Sequence, residues 1–192
     1  MKSNSNFLKK EWEESYERKE NFVFLASDET VRFISRYIVL RTGLNEYKKL
    51  YDSKTELKML DACCGIGRTS VYGIQMGLDM YGFDLSKIAV DSAIKHINLY
   101  HKNKNINDKY KVASITDIPW KDNFFDHDIC DSALDSMSYE IAQKGIREIA
   151  RVIKTGGLFY SSLISGEIES EDKNFKRELI VENNFERGTV QS

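Results

Sequence analysis

Short apolar runs alternate with amphipathic segments along the middle of the chain. Apolar residues at helical spacing predict amphipathic helices over 86–100 and 141–153. The apolar runs before, between and after these segments predict buried strands over 57–63, 78–83, 110–115, 126–131 and 157–163. Strands that alternate with helices predict an α/β fold with a doubly wound, mainly parallel sheet and helices on both faces.

Two further helices are predicted ahead of the first strand, over 7–19 and 28–41. They place a helical cap over 1–55, in front of a core that spans 56–164. Residues 165–192 are expected to add only a partial C-terminal extension. We expect all 192 residues to form a single domain, since a chain of this length can bury one sizeable core.

Composition narrows the classes of partner. The formal net charge of −2 provides no overall positive field for nucleic acid or for an anionic membrane, so neither is expected as a partner. No apolar run approaches the ~20 residues of a membrane span, and the N-terminus has no signal-peptide core. A cytoplasmic protein is therefore expected. Cys63, Cys64 and Cys130 have no metal-binding spacing, so no metal site is expected and buried thiols are the default.

Candidate chemistry is concentrated where the first predicted strand ends. The strand runs into Asp61, and glycines follow at 65 and 67 ahead of a helix-like segment. Glycine lets the backbone pass close to a ligand where a Cβ would intrude. The second strand ends 17 residues after Gly67 in Asp84, and an acid there can accept both hydroxyls of a ribose. Asp84 can also be interpreted as part of a helix cap with Ser86, and both roles are compatible.

With these landmarks the chain resembles class I S-adenosylmethionine-dependent methyltransferases of the small, stand-alone bacterial kind, over about 12–157. The resemblance implies a Rossmann-like fold and S-adenosylmethionine as cofactor. In that family the first loop carries an acid and three alternate glycines, which fall here at Asp61, Cys63, Gly65 and Gly67. Cys63 therefore stands where the family usually has glycine. Asp84 matches the ribose-binding acid.

The segment 113–126 is similar to the adenine side of the family's site. It has the apolar turn Ile118-Pro119-Trp120 and the pair Phe125-Asp126, but Ser114 stands where the family usually has an acid. A serine can still accept a hydrogen bond from the adenine amino group, although more weakly than a carboxylate. The double glycine at 156–157 resembles the turn before the fifth strand. The residues expected to contact the cofactor are Tyr16, Asp61, Cys63, Gly65, Gly67, Asp84, Leu85, Ser114, Ile115 and Asp131.

The reaction implied by the resemblance is in-line displacement at the sulfonium methyl, with S-adenosylhomocysteine as product. A general base is needed only where the acceptor must lose a proton. Because open α/β sheets bind ligands beyond the carboxyl ends of their strands, the candidates for this role are Asp131, Asp135 and Tyr139, at and after the fourth strand. The loop there lacks the Asn/Asp-Pro-Pro-aromatic motif of enzymes that methylate DNA bases or glutamine amides. A small-molecule acceptor is therefore expected by elimination.

Two other classes of protein stay open. A nicotinamide-dependent oxidoreductase also uses a glycine turn and an acid, but its third glycine would align with Ser70. A non-catalytic relative would bind only the cofactor or a partner protein. We also expect the sheet to lack its last strands, because too few residues follow the fifth strand to complete it. Either the sequence is a fragment, or the uncovered edge pairs with another chain, for example as a homo-oligomer.

Overall fold

The structure, a computed structural model, describes residues 2–51, 56–101 and 106–163, with side chains from residue 8 onward. Its α-helices are α1 (Lys2–Glu17), α2 (Asp28–Phe33), α3 (Arg68–Gln75), α4 (Lys87–Tyr100) and α5 (Tyr139–Val152). Its strands are β1 (Val39–Arg41), β2 (Tyr47–Lys49), β3 (Lys58–Ala62), β4 (Asp79–Asp84), β5 (Tyr110–Val112), β6 (Phe125–Asp131) and β7 (Ile153–Ser162). Within the described ranges, no helix has the length and apolarity needed to cross a membrane. The extension predicted over 165–192 lies outside the described residues.

Five strands form one sheet in the order β5-β4-β3-β6-β7. Every neighbouring pair in this sheet is parallel, which confirms the predicted doubly wound arrangement. The chain first winds outward from β3 to β5 and then returns to place β6 on the other side of β3. The strand order thus reverses between β3 and β6. In open α/β sheets, ligands bind in the crevice at the carboxyl ends of the strands on either side of such a reversal.

Helices cover both faces of the sheet, and each face has its own apolar core. On the first face, residues of α3, α4 and the turn after α2 pack against β3, β4 and β6. The fully or nearly fully buried residues here include Ile38, Met59, Val71, Ala93 and Ile129. On the second face, α5 and the connection before β6 cover the same strands. The buried residues there include Leu60, Phe83, Cys130, Ile149 and Val152.

The N-terminal region differs from the predicted all-helical cap. The helix predicted over 28–41 ends at Ile38, after a π-helical turn over Ile34–Ile38. The backbone then becomes extended, and β1 pairs with β2 in an antiparallel hairpin. Ile38 and Val39 are β-branched, and such residues favour strands over helices. The apolar spacing that predicted a longer helix instead comes from a strand whose first residue, Val39, is buried.

The sheet also contains a bulge that the sequence pattern did not predict. Phe125 lies opposite Ile153 and His127 opposite Leu158, so β7 uses five positions where β6 uses two. Gly156 is one of the extra residues of β7. Its φ of 83 is a left-handed conformation that glycine adopts without strain. The double glycine therefore accommodates the bulge. For the same reason β7 begins at Ile153, earlier than the predicted position 157.

Asp126, the acid of the Phe-Asp pair, holds the amino ends of three strands together. Its Oδ2 accepts a hydrogen bond from the backbone N–H of Lys58 at 2.9 Å, and its Oδ1 lies 2.7 Å from the ammonium of Lys154. Lys58 is the first residue of β3 and Lys154 the second of β7. These contacts lie at the end of the sheet opposite the crevice. The acid thus has a structural role.

We expect Asp126→Ala to lower the free energy of unfolding by about 1–3 kcal/mol, because a largely buried N–H loses its acceptor. Asp122→Ala is the matched control, since that carboxylate is 68% exposed in its ion pair with Arg151. Its removal should change stability by less than about 0.5 kcal/mol. Urea unfolding followed by circular dichroism measures both variants. Equal losses in the two would contradict the structural role of Asp126.

Candidate active site

The loop between β3 and α3 turns through three left-handed residues at alternate positions. Cys63, Gly65 and Gly67 have φ values of 56, 52 and 77. The N–H of Gly67 donates to the carbonyl oxygen of Cys64 at 2.8 Å, which closes the turn before α3 begins. The two glycines adopt this conformation without strain, while their predicted approach to a ligand stays a prediction. Cys63 adopts the same conformation with a Cβ, at a cost of about 1–2 kcal/mol.

Asp61 anchors this loop to the helix that follows it. Its Oδ2 accepts hydrogen bonds from the backbone N–H of Ser70 at 3.0 Å and from the Ser70 hydroxyl at 2.6 Å. Burial raises the pKa of Asp61 to about 7, although the bonds from Ser70 act in the opposite direction. Asp61 therefore binds the first turns of α3. A direct contact between Asp61 and a cofactor stays a prediction.

Asp84 meets the loop from the neighbouring strand. Its Oδ2 accepts from the backbone N–H of Gly65 at 2.9 Å, and its Oδ1 accepts from that of Ser86 at 2.9 Å. Burial raises the pKa of Asp84 to about 6, against the effect of these N–H donors. Ser86 itself caps α4, because its hydroxyl accepts from the N–H of Ala89. Ser86 is therefore the helix cap and Asp84 lies beside the loop, where its contact with a ribose stays a prediction.

Tyr16 of α1 covers the loop from above. A Cβ built on Gly65 would lie 2.9 Å from the Tyr16 hydroxyl, so only a glycine fits under this side chain without displacing it. The ring is buried between Trp12 and Phe22, with centroids 6.2 and 6.5 Å away. Burial first, and then the charge of Asp84, raises the pKa of Tyr16 above its ordinary value. The structure thus brings Tyr16, Gly65 and Asp84 together, as the list of expected contacts implied.

Asp131, the last residue of β6, joins three elements around the crevice. Its Oδ2 accepts from the guanidinium of Arg68 at 2.9 Å and from the hydroxyl of Ser27 at 3.0 Å. Its Oδ1 accepts from the hydroxyl of Ser162, at the end of β7, at 2.5 Å. Only 4% of the Asp131 side chain is exposed. These four side chains, which we call the Asp131 cluster, link α2, α3, β6 and β7.

Sequence reasoning missed three members of the Asp131 cluster: Ser27, Arg68 and Ser162. One of them left a signal. Arg68 is the first residue of α3, and a cation is unfavourable at a helix N-terminus, where the helix dipole is positive. An arginine there therefore indicates a nearby anionic partner. The two serines left no comparable signal, since their contacts with Asp131 join positions 104 and 31 residues apart.

The remaining expected cofactor contacts lie along the edge of the crevice. The N–H of Ala113 donates to the carbonyl oxygen of Asp84, so Ser114 comes directly after a residue bonded to β4. The Ser114 hydroxyl forms a turn with Thr116, as it accepts from that residue's N–H at 3.2 Å. Ile115 is buried in the second apolar core, and Leu85 is half-buried beside Asp84.

The other two candidates for a general base lie further along the chain from Asp131. Asp135 lies in a short 3-10 turn over Leu134–Ser136. Tyr139 begins α5, is 63% exposed, and its hydroxyl accepts from Gln143 one turn later at 2.8 Å. Both stay predictions. Among the residues that the structure describes, no group of three or more His, Cys, Asp or Glu is placed to hold a metal ion.

The family model described as "Methyltransferase domain" matches residues 60–161, which include the loop, Asp84 and the Asp131 end of β6. The chain belongs to this family. Its members are class I S-adenosylmethionine-dependent methyltransferases, so the family and the cofactor implied by the sequence are confirmed. Ser70, buried and bonded to Asp61, also stands where a nicotinamide-dependent oxidoreductase would have its third glycine.

Curated relatives agree with this assignment. An uncharacterized protein of Methanocaldococcus jannaschii is 27% identical over 139 residues, 69% of this chain and 55% of the relative. An uncharacterized methyltransferase of Synechocystis sp. is 33% identical over 53% of this chain and 44% of its own length. The malonyl-[acyl-carrier protein] O-methyltransferase of Pectobacterium atrosepticum is 25% identical over 71% of this chain and 51% of its length. The chain spans about half the length of the curated relatives it matches.

Solved structures show the same fold. A protein of Pyrococcus horikoshii aligns with a TM-score of 0.52 at 22% identity, over 58% of this chain and 48% of that protein. A protein of Methanococcus maripaludis gives a TM-score of 0.51 at 22% identity, over 70% of this chain and 53% of that protein. The methyltransferase fold is thus found at both the sequence and the structural level.

We expect Ser70→Ala to lower the free energy of unfolding by about 1–3 kcal/mol, with a larger loss at pH 8 than at pH 5.5. Asp61 has a raised pKa in the folded state, so the folded protein binds the proton more tightly and stability falls as pH rises from about 4 to 7. Loss of the Ser70 hydroxyl raises this pKa further. The additional loss in the free energy of unfolding therefore appears only at pH values at which Asp61 is ionised.

Urea unfolding at the two pH values measures this dependence. Ser35→Ala is the control, because its hydroxyl pairs with a hydroxyl, that of Tyr72 at 3.3 Å, and not with a carboxylate. Its loss should be the same at both pH values. A loss for Ser70→Ala that does not change with pH would mean that Asp61 is not the group that the hydroxyl stabilises.

Proposed function

We propose that this protein transfers a methyl group from S-adenosylmethionine to a small-molecule acceptor. The observation that carries the proposal is the position of Asp84, which is bonded to the N–H of Gly65 at the carboxyl ends of the central strands. The carboxylate oxygens accept from the N–H groups of Gly65 and Ser86 and keep lone-pair capacity for a ribose hydroxyl. When bound, the cofactor supplies a methyl group that its sulfonium has already activated.

The loop fits a cofactor of this kind. Gly65 and Gly67 have no side chain, so the backbone of the loop is open to close approach by a ligand. A Cβ at Gly65 would reach the Tyr16 hydroxyl. We propose that Tyr16 lies against the bound cofactor and keeps water from it. Leu85, Ser114 and Ile115 would flank the adenine, with the Ser114 hydroxyl as acceptor for its amino group. Asp61 and Cys63 would shape the loop from below.

The Asp131 cluster carries opposite charges that suit the amino-acid end of the cofactor. Arg68 has five N–H donors, of which one bonds to Asp131. We assign the remaining donors to the carboxylate of the cofactor. Asp131, in turn, would accept from its ammonium group. This assignment uses Asp131 for binding, so Asp135 and Tyr139 are the candidates for a base on the acceptor side.

Two features of the sequence support a small-molecule acceptor: the missing proline motif after β6 and the net charge. Residues 131–139 contain no proline, unlike the loop of enzymes that methylate DNA bases or amides. The net charge of −2 does not favour a polyanionic acceptor. Catalysis then depends mainly on the orientation of the acceptor, which can contribute several kcal/mol to the lowering of the barrier.

We expect S-adenosylhomocysteine to bind the wild-type protein in the micromolar range and Asp84→Ala to bind at least about 100-fold more weakly, because charge-assisted bonds to the ribose are lost. Isothermal titration calorimetry measures both affinities. The control is Asp91→Ala, which removes an exposed carboxylate of α4 paired with Lys87 and should bind as the wild type does. If the wild-type protein binds neither S-adenosylhomocysteine nor S-adenosylmethionine, the proposed function is wrong and a partner-binding role is favoured.

We expect Arg68→Met to weaken S-adenosylhomocysteine binding by about 10- to 100-fold. The same variant should bind 5′-methylthioadenosine, which lacks the amino-acid end, with wild-type affinity. Lys154→Met is the matched control, since its ion pair with Asp126 lies at the opposite end of the sheet. If Arg68→Met lost the same affinity for both ligands, Arg68 would stabilise the whole site and would not bind the carboxylate specifically.

A further inference from the structure

A cysteine of the loop between β3 and α3 lies beside a cysteine of the neighbouring strand β6. Cys63 follows β3, and Cys130 is the penultimate residue of β6. These strands are neighbours, with Asp61 opposite Ile129. Both cysteines pack in the apolar core under α5, and their side chains are close enough for the thiol of Cys63 to affect the ionisation of Cys130. Cys130 is 0% exposed, while Cys63 is half-buried, so that part of this residue is accessible to solvent.

Cys63 is a costly residue for its position. Its φ of 56 belongs to the left-handed region, where a Cβ is disfavoured and glycine is free of strain. The conformation alone would therefore favour glycine. The side chain adds a thiol to the core that also contains the thiol of Cys130. A second thiol near Cys130, and not the backbone, distinguishes this residue from a glycine.

Cys64, although adjacent in sequence, faces the other side of the sheet. Its thiol donates to the carbonyl oxygen of Gly65, and its Cβ approaches the position that a Cβ on Gly82 would take, at 3.2 Å. Cys64 is buried in the first apolar core, whereas Cys63 packs against the second. The reactive pair is thus defined by geometry as Cys63 and Cys130, and Cys64 serves as an internal control.

We propose that Cys63 and Cys130 form a reversible disulfide that lowers the affinity of the crevice for S-adenosylmethionine. The proposal rests on the proposed function for its effect on binding, but not for the bond itself. A disulfide needs a sulfur–sulfur distance of about 2.05 Å, shorter than the separation of two unbonded thiols such as these. Oxidation therefore pulls Cys63 toward β6, together with the turn that positions Gly65 against Asp84.

The chemistry balances with a peroxide as oxidant. The Cys63 thiolate attacks one oxygen of hydrogen peroxide, which forms a sulfenic acid and releases hydroxide. The Cys130 sulfur then displaces hydroxide from that sulfenic acid, so that the disulfide forms and water leaves once the Cys130 proton is transferred. Two thiols lose two electrons, and peroxide is reduced to two water molecules. The neighbouring thiol of Cys63, followed by burial, raises the pKa of Cys130, so Cys130 enters this second step as a protonated thiol.

Cofactor binding and oxidation must oppose each other. If the disulfide weakens binding by a given factor, then the bound cofactor disfavours the disulfide by the same factor, because the two equilibria are linked. A cell with abundant cofactor would therefore keep the pair reduced. Loss of cofactor and exposure to oxidant would together close the site.

The test compares the full chain before and after hydrogen peroxide, with peptide mass mapping, thiol titration and calorimetry with S-adenosylhomocysteine. We expect the oxidised protein to lose two of its three titratable thiols, to show a Cys63–Cys130 cross-linked peptide, and to bind at least about tenfold more weakly. Dithiothreitol should restore all three properties. Prior saturation with S-adenosylhomocysteine should slow the loss of thiols.

Two variants make the outcome specific. Cys64→Ala should form the same disulfide and lose affinity as the wild type does. Cys130→Ala should form no intramolecular disulfide and should keep the affinity of its own untreated sample after the same exposure. If wild type and Cys64→Ala form no Cys63–Cys130 bond, or form it without loss of affinity, the proposal is wrong. Failure of the reduced protein to bind would instead contradict the proposed function, while the thiol mapping would still decide whether the bond forms.

Discussion

Two buried carboxylates hold the glycine loop in place, and the rest of the site depends on them. Asp61 binds the start of α3 through Ser70, and Asp84 binds the N–H of Gly65. The loop is therefore fixed from both sides, with its three left-handed residues between the two acids. These contacts fix the backbone of the turn. They thereby hold Gly65 under Tyr16 and place Arg68 beside Asp131.

This construction buries carboxyl groups that resist ionisation. Burial raises the pKa of Asp61 to about 7 and that of Asp84 to about 6, and it raises the pKa of the fully buried Asp128 well above its ordinary value. Asp131, by contrast, is paired with the guanidinium of Arg68. A cationic group of a ligand beside Asp61 or Asp84 would favour the ionised form of that acid, because a neighbouring opposite charge lowers the pKa of a carboxyl group.

The sequence predicted those features that depend on local pattern. Alternating apolar segments were enough for the parallel sheet, and the spacing of Asp61, Gly65, Gly67 and Asp84 was enough for the loop. What it missed depends on contacts between distant positions. The Asp131 cluster joins residues 31 to 104 positions apart, and no periodicity records such pairs. The hairpin of β1 and β2 was missed because its apolar residues continue the helical spacing of α2.

Tyr16 connects these local and distant features. Its hydroxyl occupies the space that a side chain at Gly65 would fill, and its ring belongs to a small core with Ile66 and Ala89 of the loop and α4. A ligand that lies on the loop must therefore contact Tyr16 or displace it. The helix that carries Tyr16, α1, in turn packs against α4. The N-terminal helix thus lies over the loop, although it is outside the segment matched by the family model.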